Sequence, residues 1–206
     1  TLTYRGAGMY CENNSNPQII NATIAANSCN TADGAMLVCY QASNPIFINS
    51  ILTGNFPREL YLSPTGGENN VSISYSNIEG GQDSIITNDN GSISWGAGNI
   101  DINPRYIEPE SNNYKLLASS LCINAGHPDS TNSDGSRADM GAIPYLNSYT
   151  GPAWYSSTEG DDVAGTGESS NPFASIQAGI NFASSGNSVS VDPGTYFETI
   201  VFRGQD

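Results

Sequence analysis

The clearest place in this 206-residue chain where side chains are spaced for chemistry is the oxygen-rich stretch from Asp129 to Asp139. Asp129, Asn132, Asp134 and Asp139 set oxygen ligands around the turn residue Gly135, a pattern that hard cations such as Ca2+ favour. The closing Glu of an EF-hand loop is missing, so the match is partial. The same residues also fit a tight turn in which Asp134 and Asp139 bind backbone amides and Arg137. A second acidic loop, Glu159, Asp161 and Asp162 with Glu168, reads more simply as solvated. The single histidine, His127, precedes Pro128 and reads as an exposed turn residue.

Catalytic constellations are harder to find. Lyase chemistry on an acidic polysaccharide needs a base and cations to neutralise the uronate. The basic residues Arg5, Arg58, Arg105, Lys115, Arg137 and Arg203 are scattered, with none beside an acidic cluster on a strand. Glycoside hydrolysis needs two carboxylates about 5–9 Å apart. In the repeat described next Glu12 aligns with Tyr40, so no such pair forms there. No serine elbow, phosphate loop or zinc-type cysteine pair occurs. The expectation is a chain that is not an enzyme.

The elements that position these residues come from an internal repeat. Residues 10–27 and 38–55 align without a gap at an offset of 28. Cys11 meets Cys39, Asn16-Pro17 meets Asn44-Pro45, Asn21 meets Asn49 and Asn27 meets Asn55. Gly6-Ala7 pairs with Gly34-Ala35 at the same offset, and a degenerate third copy runs from Leu60 through Ile78. Short apolar runs broken by Gly, Asn and Pro suit strands of a solenoid coil rather than helices. Stacked at about 4.8 Å, equivalent residues form ladders, Cys11 on Cys39 and Asn21 on Asn49. The Asn pair is expected to be buried, which would make the Asn21 glycosylation sequon unavailable; further sequons lie at Asn13, Asn70 and Asn90. The four cysteines permit two disulfides without demanding them, and stacked inward thiols are the preferred reading.

Residues 6–24, GAGMYCENNSNPQIINATI, resemble the coils of right-handed parallel β-helix proteins in large bacterial secreted polypeptides. The resemblance covers residues 1–81. Residues 98–145 resemble the segment that closes such β-helices, and Tyr106, Ile107, Tyr114, Leu116, Leu117, Leu121 and Ile143 supply apolar cover. Residues 152–206 instead resemble the opening of pectate-lyase-like β-helices. There the spacing predicts a helix over 172–184, with Asn171 as N-cap, an apolar face of Phe173, Ile176, Ile180 and Ala183, and Gly186 as its end. Val189, Val191, Ile200 and Phe202 would supply the first strands beneath it.

The predicted fold is therefore all-β, a right-handed parallel β-helix with a C-terminal cap, followed by an N-terminal capping helix and the first coil of a further β-helix. Residues 1–148 would form one domain and 149–206 the next. Thr1 opens directly into repeat-like sequence, so the chain reads as a mature or internal segment. The cap order places an opening after a closure, and this predicts head-to-tail stacking. Val189, Val191, Ile200 and Phe202 of one copy, or of an adjacent β-helix domain, would continue the core beneath Met9 and Ile20 of another.

Composition narrows the partners. Twenty acidic residues against six basic ones give a net charge of −14, which disfavours nucleic acid and anionic membranes. No apolar run approaches the roughly 20 residues that span a bilayer. An acidic, Lys-poor surface fits an extracellular or cell-surface protein. The expected role is a structural module of a fibre, stalk or adhesin. The alternative, from the resemblance of the opening segment and from Tyr40, Tyr61 and Tyr75, is a β-helix that binds or degrades polysaccharide.

Overall fold

The structure, a computed structural model, describes residues 6–30 and 35–203. The Gly6-Ala7/Gly34-Ala35 alignment lies partly outside them. The described residues are mostly β, with parallel strands predominating, as the sequence predicts at that level. The chain forms two compact units.

The first unit comprises Thr1–Asn103, Ala125–Pro128 and Met140–Ala142. Its strands are β1 (Met9–Cys11), β2 (Gln18–Ile20), β3 (Thr23–Ala25), β4 (Leu37–Cys39), β5 (Ile46–Ile48), β6 (Ile51–Thr53), β7 (Leu60–Leu62), β8 (Asn69–Ser74), β9 (Asn77–Ile78) and β10 (Gly91–Trp95). They build three parallel sheets, ordered β1-β4-β7, β2-β5-β8-β10 and β3-β6-β9. The chain thus visits three sheets in turn and returns to the first, one pass laid beside the last. Met9, Ile20 and Ile24 face Leu37, Ile48 and Leu52, so the 28-residue repeat is the register between the first two passes. The third pass is shorter: Leu37 faces Leu60 and Leu52 faces Ile78. Cys11, Leu37, Cys39, Phe47, Leu52, Leu62, Val71, Ile73 and Ile78 share one buried core.

The corner between the second and third sheets explains the recurring asparagines. Asn21, Asn49 and Tyr75 follow the strand ends there with φ of 51°, 52° and 48°. That left-handed conformation is one that Asn tolerates better than most residues. Asn21 is exposed while Asn49 is buried, so the expected burial of the pair fails at Asn21. Nor do the two amides bond each other. The Asn49 Oδ1 accepts from the His127 N–H at 2.6 Å, and its Nδ2 has no partner among the described residues. Side-chain ladders form one residue later and elsewhere. Ser50 Oγ accepts from the Ala22 N–H, Ser76 Oγ from Ser50, and Asn99 Oδ1 from Ser76. Asn44 donates to Asn16 at 3.0 Å, and the Asn70 N–H donates to Asn44. These contacts satisfy corner amides that the strand ladder does not reach.

Two later segments return to this unit. The Gly141 N–H donates to the Asn49 carbonyl at 2.7 Å, and the Ala142 N–H to Thr23 Oγ1 at 3.0 Å. Gly141 has φ of 97°, and a Cβ there would lie 2.9 Å from both Ile51 Cδ1 and Thr23 Oγ1. Only glycine fits.

The second unit comprises Pro104–Asn124, Asp129–Asp139 and Ile143–Asp206. The chain first passes from one unit to the other at Asn103/Pro104, and residues 148 and 149 both lie in the second unit. The reason is packing: the closing segment and the opening segment share one aromatic core. Ala118, Trp154, Phe173 and Ala178 are buried together, with Tyr145, Tyr149 and Phe182 against them. Strands β11 (Tyr106–Glu108) and β12 (Asn113–Leu116) pair antiparallel, and β13 (Ala153–Ser156) and β14 (Ser188–Val191) pair parallel.

The only α-helix among the described residues, α1, spans Ile176–Phe182 rather than 172–184. Its N-cap is Ser175, whose hydroxyl accepts from the Ala178 N–H, and not Asn171. Phe173 is held extended because its N–H donates to the Tyr155 carbonyl, and its own carbonyl accepts from Ser157. Asp162 Oδ1 takes the next two amides, of Ala174 and Ser175. The helix ends before Gly186, with Ala183 as C-cap. Ile200 and Phe202 lie outside any strand.

Candidate stacking faces

Each unit presents a strand row with a neighbour on one side only among the described residues. In the first unit β1, β2 and β3 close their sheets, pairing with β4, β5 and β6 alone. Of the two side chains expected at that face, Met9 is half-buried and Ile20 is 50% exposed. In the second unit β14 pairs only with β13. Val189 is half-buried against Gly179, while Val191 and Ile200 are exposed. Phe202 is 81% exposed and Phe197, which the sequence reading did not single out, is 96% exposed. Phenylalanine at such exposure leaves a large apolar area in water.

The polar framework under the second face was not legible as such. The helix buries Gln177, Ala178, Gly179 and Asn181, not the predicted apolar set. Gln177 donates to and accepts from the Val201 backbone, at 3.1 and 2.7 Å. Asn181 Nδ2 donates to the Ala118 and Ser120 carbonyls, both at 2.9 Å. Glu198 accepts from the Ile176 and Gln177 amides at the start of the helix, where the exposed N–H groups favour negative charge. Arg203 donates to the Leu121 and Ile123 carbonyls and to Asn181 Oδ1. Amide side chains four residues apart, Gln177 and Asn181, were the available signal.

Of the residues expected to hold a cation, Asp134 and Asp139 bind backbone amides. Asp134 Oδ1 accepts from the Ser136 N–H and hydroxyl, and Oδ2 from the Asn147 N–H. Burial alone would raise its pKa, but these hydrogen bonds hold it below the usual carboxylate value. Asp139 is buried, and its two oxygens accept from the Asn124 and Tyr145 amides, each at 2.7 Å. Burial pushes it up to about 6. Asn132 accepts from the Asp139 N–H, and Asp129 is exposed. Among the described residues no group of three or more His, Cys, Asp or Glu is placed to hold a metal ion.

Glu59 is a buried carboxylate that sequence reasoning missed. It is 4% exposed and accepts from the Asn55 N–H and Nδ2, at 3.2 and 2.6 Å, and Asn55 in turn accepts from Asn27. Burial pushes it up to about 7, with Glu79 adding repulsion. Cys11 and Cys39 are register partners, and all four cysteines are buried thiols. His127 is half-buried, its ring 4.8 Å from that of Tyr75. No helix of the described residues is long and apolar enough to cross a membrane. No family model, curated protein or solved structure matches the chain.

Proposed function

We propose that this chain is a right-handed parallel β-helix module, a non-catalytic structural part of an extracellular or cell-surface fibre, stalk or adhesin. Its partner is a second copy of itself, stacked head to tail. The observation that carries the reading is the pairing of one-sided strand rows with exposed apolar side chains. Ile20 marks one face and Val191, Ile200 and Phe202 the other. A parallel strand row with open amides and carbonyls is completed by another strand row of the same spacing. A flat edge left bare invites aggregation. The contact joins two different surfaces, so repeated addition extends into a filament.

The test is sedimentation velocity of the intact chain over a wide concentration range, with electron microscopy of the most concentrated sample. Concentration-dependent linear oligomers are expected. Phe202→Asp and Ile20→Asp should each return monomers, because each buries an unpaired charge at the junction. A wild-type chain that stays monomeric at millimolar concentration refutes the reading.

A further inference from the structure

We propose that Cys11 and Cys39 form a reversible disulfide that ties the first pass to the second when the protein meets a low-molecular-weight disulfide oxidant. The two residues are direct partners in the parallel register of β1 and β4. In-register parallel strands hold Cα atoms about 4.8 Å apart, inside the roughly 4.4–6.8 Å range that a disulfide spans. Both side chains enter the same buried core. Backbone bonds on either side keep the strands in place, from the Tyr40 N–H to the Cys11 carbonyl at 2.8 Å and from the Ser63 N–H to the Cys39 carbonyl at 2.9 Å.

The pair stands alone in the register. The third pass carries Leu62 opposite Cys39, so no third thiol competes. Cys29 lies 28 residues before Pro57, and Cys122 belongs to the second unit. The hydrogen bond from Cys39 lowers the pKa of the Cys11 thiol, while the same contact raises that of Cys39. Cys11 lies on the edge strand β1 while Cys39 lies between β1 and β7, so Cys11 is the thiol reached first and the first nucleophile. Its thiolate attacks a sulfur of the oxidant, releases one equivalent of the small thiol and leaves a mixed disulfide on Cys11. Cys39 then gives up its proton and displaces the second equivalent. Two protein thiols become one S–S bond, and one small disulfide becomes two small thiols. Because Cys11 is buried, the first step waits on opening of the first pass.

Oxidised glutathione supplies the test, with intact mass and peptide mapping as readouts, in buffer and in low urea. The expected product loses two hydrogens, links the Cys11 and Cys39 peptides within one chain and leaves Cys29 and Cys122 open to alkylation after unfolding. Hydrogen exchange at Ile20 and Ile24 should slow in the oxidised form. Cys39→Ser should trap glutathione on Cys11, and Cys11→Ser should abolish the two-hydrogen loss. A link to any other cysteine, a stable glutathione adduct on wild-type Cys11, loss of two hydrogens in Cys11→Ser, or no oxidation even in low urea would each overturn the proposal.

Discussion

At the scale of single residues, burial decides more than type. Glu59 has a folded pKa of about 7 against an ordinary value near 4.5, so folding favours its protonated form. Its contribution is full below about pH 4.5 and is lost as pH rises through 7. The first unit should therefore weaken between about pH 5 and pH 8, by roughly 1–3 kcal/mol. Glu59→Gln should flatten that dependence in urea titrations followed by hydrogen exchange on β4 to β7. An unchanged slope would show that Glu59 is not the group responsible. Asp139, pushed up to about 6, imposes the same sign on the second unit over a narrower window. Gly141→Ala should cost about 1–3 kcal/mol, since it adds both a left-handed strain and a contact with Ile51. A thermal melt that does not move would count against the return of that segment to the first unit.

Among the elements, the short helix α1 is held both by the polar contacts of Gln177 and Asn181 and by Ala178 and Phe182 in the aromatic core. Ser175→Ala removes the hydroxyl that caps it and should cost about 1 kcal/mol. Asn171→Ala should leave the cap intact, because the Asn171 side chain donates instead to the Ala164 carbonyl. Asn181→Ala should cost more, about 2–3 kcal/mol, since it removes a donor from the Ala118 and Ser120 carbonyls and an acceptor from Gln177 and Arg203. The three variants ranked by urea midpoint give a direct check. Equal effects of Ser175→Ala and Asn171→Ala would return the helix start to the position the sequence predicts.

For the whole molecule, net charge opposes the proposed stacking. Copies carrying −14 repel each other at long range, and salt shortens that reach from about 30 Å at 0.01 M to about 8 Å at 0.15 M. Association measured by sedimentation should therefore strengthen as salt rises, the reverse of what interface salt bridges would give. Weakening with salt would place charge pairs, not apolar faces, at the junction. A structural role further predicts no release of unsaturated sugar from uronate polymers, and turnover by the purified chain would argue for the enzymatic reading instead.

What the sequence determines by itself is whatever repeats along it. The 28-residue offset reappears as the strand register because in-register parallel strands bring equivalent residues side by side, Cys11 to Cys39 and Ile24 to Leu52. Where passes shorten, as between Leu37 and Leu60, the repeat fades and the sequence signal fades with it. Tertiary structure decides what depends on neighbours distant in the chain. Asn21 and Asn49 look like ladder residues but serve a left-handed corner, because backbone conformation and not amide pairing selects them. The apolar spacing after Asn171 suggests a longer helix, yet pairing of Phe173 with Tyr155 keeps its start extended. The chain first passes between units at Asn103/Pro104 because Trp154 and Phe173 pack with Ala118 from the preceding segment. Glu59 accepts from Asn55, and only the laying of one pass beside the next brings Asn27 onto Asn55.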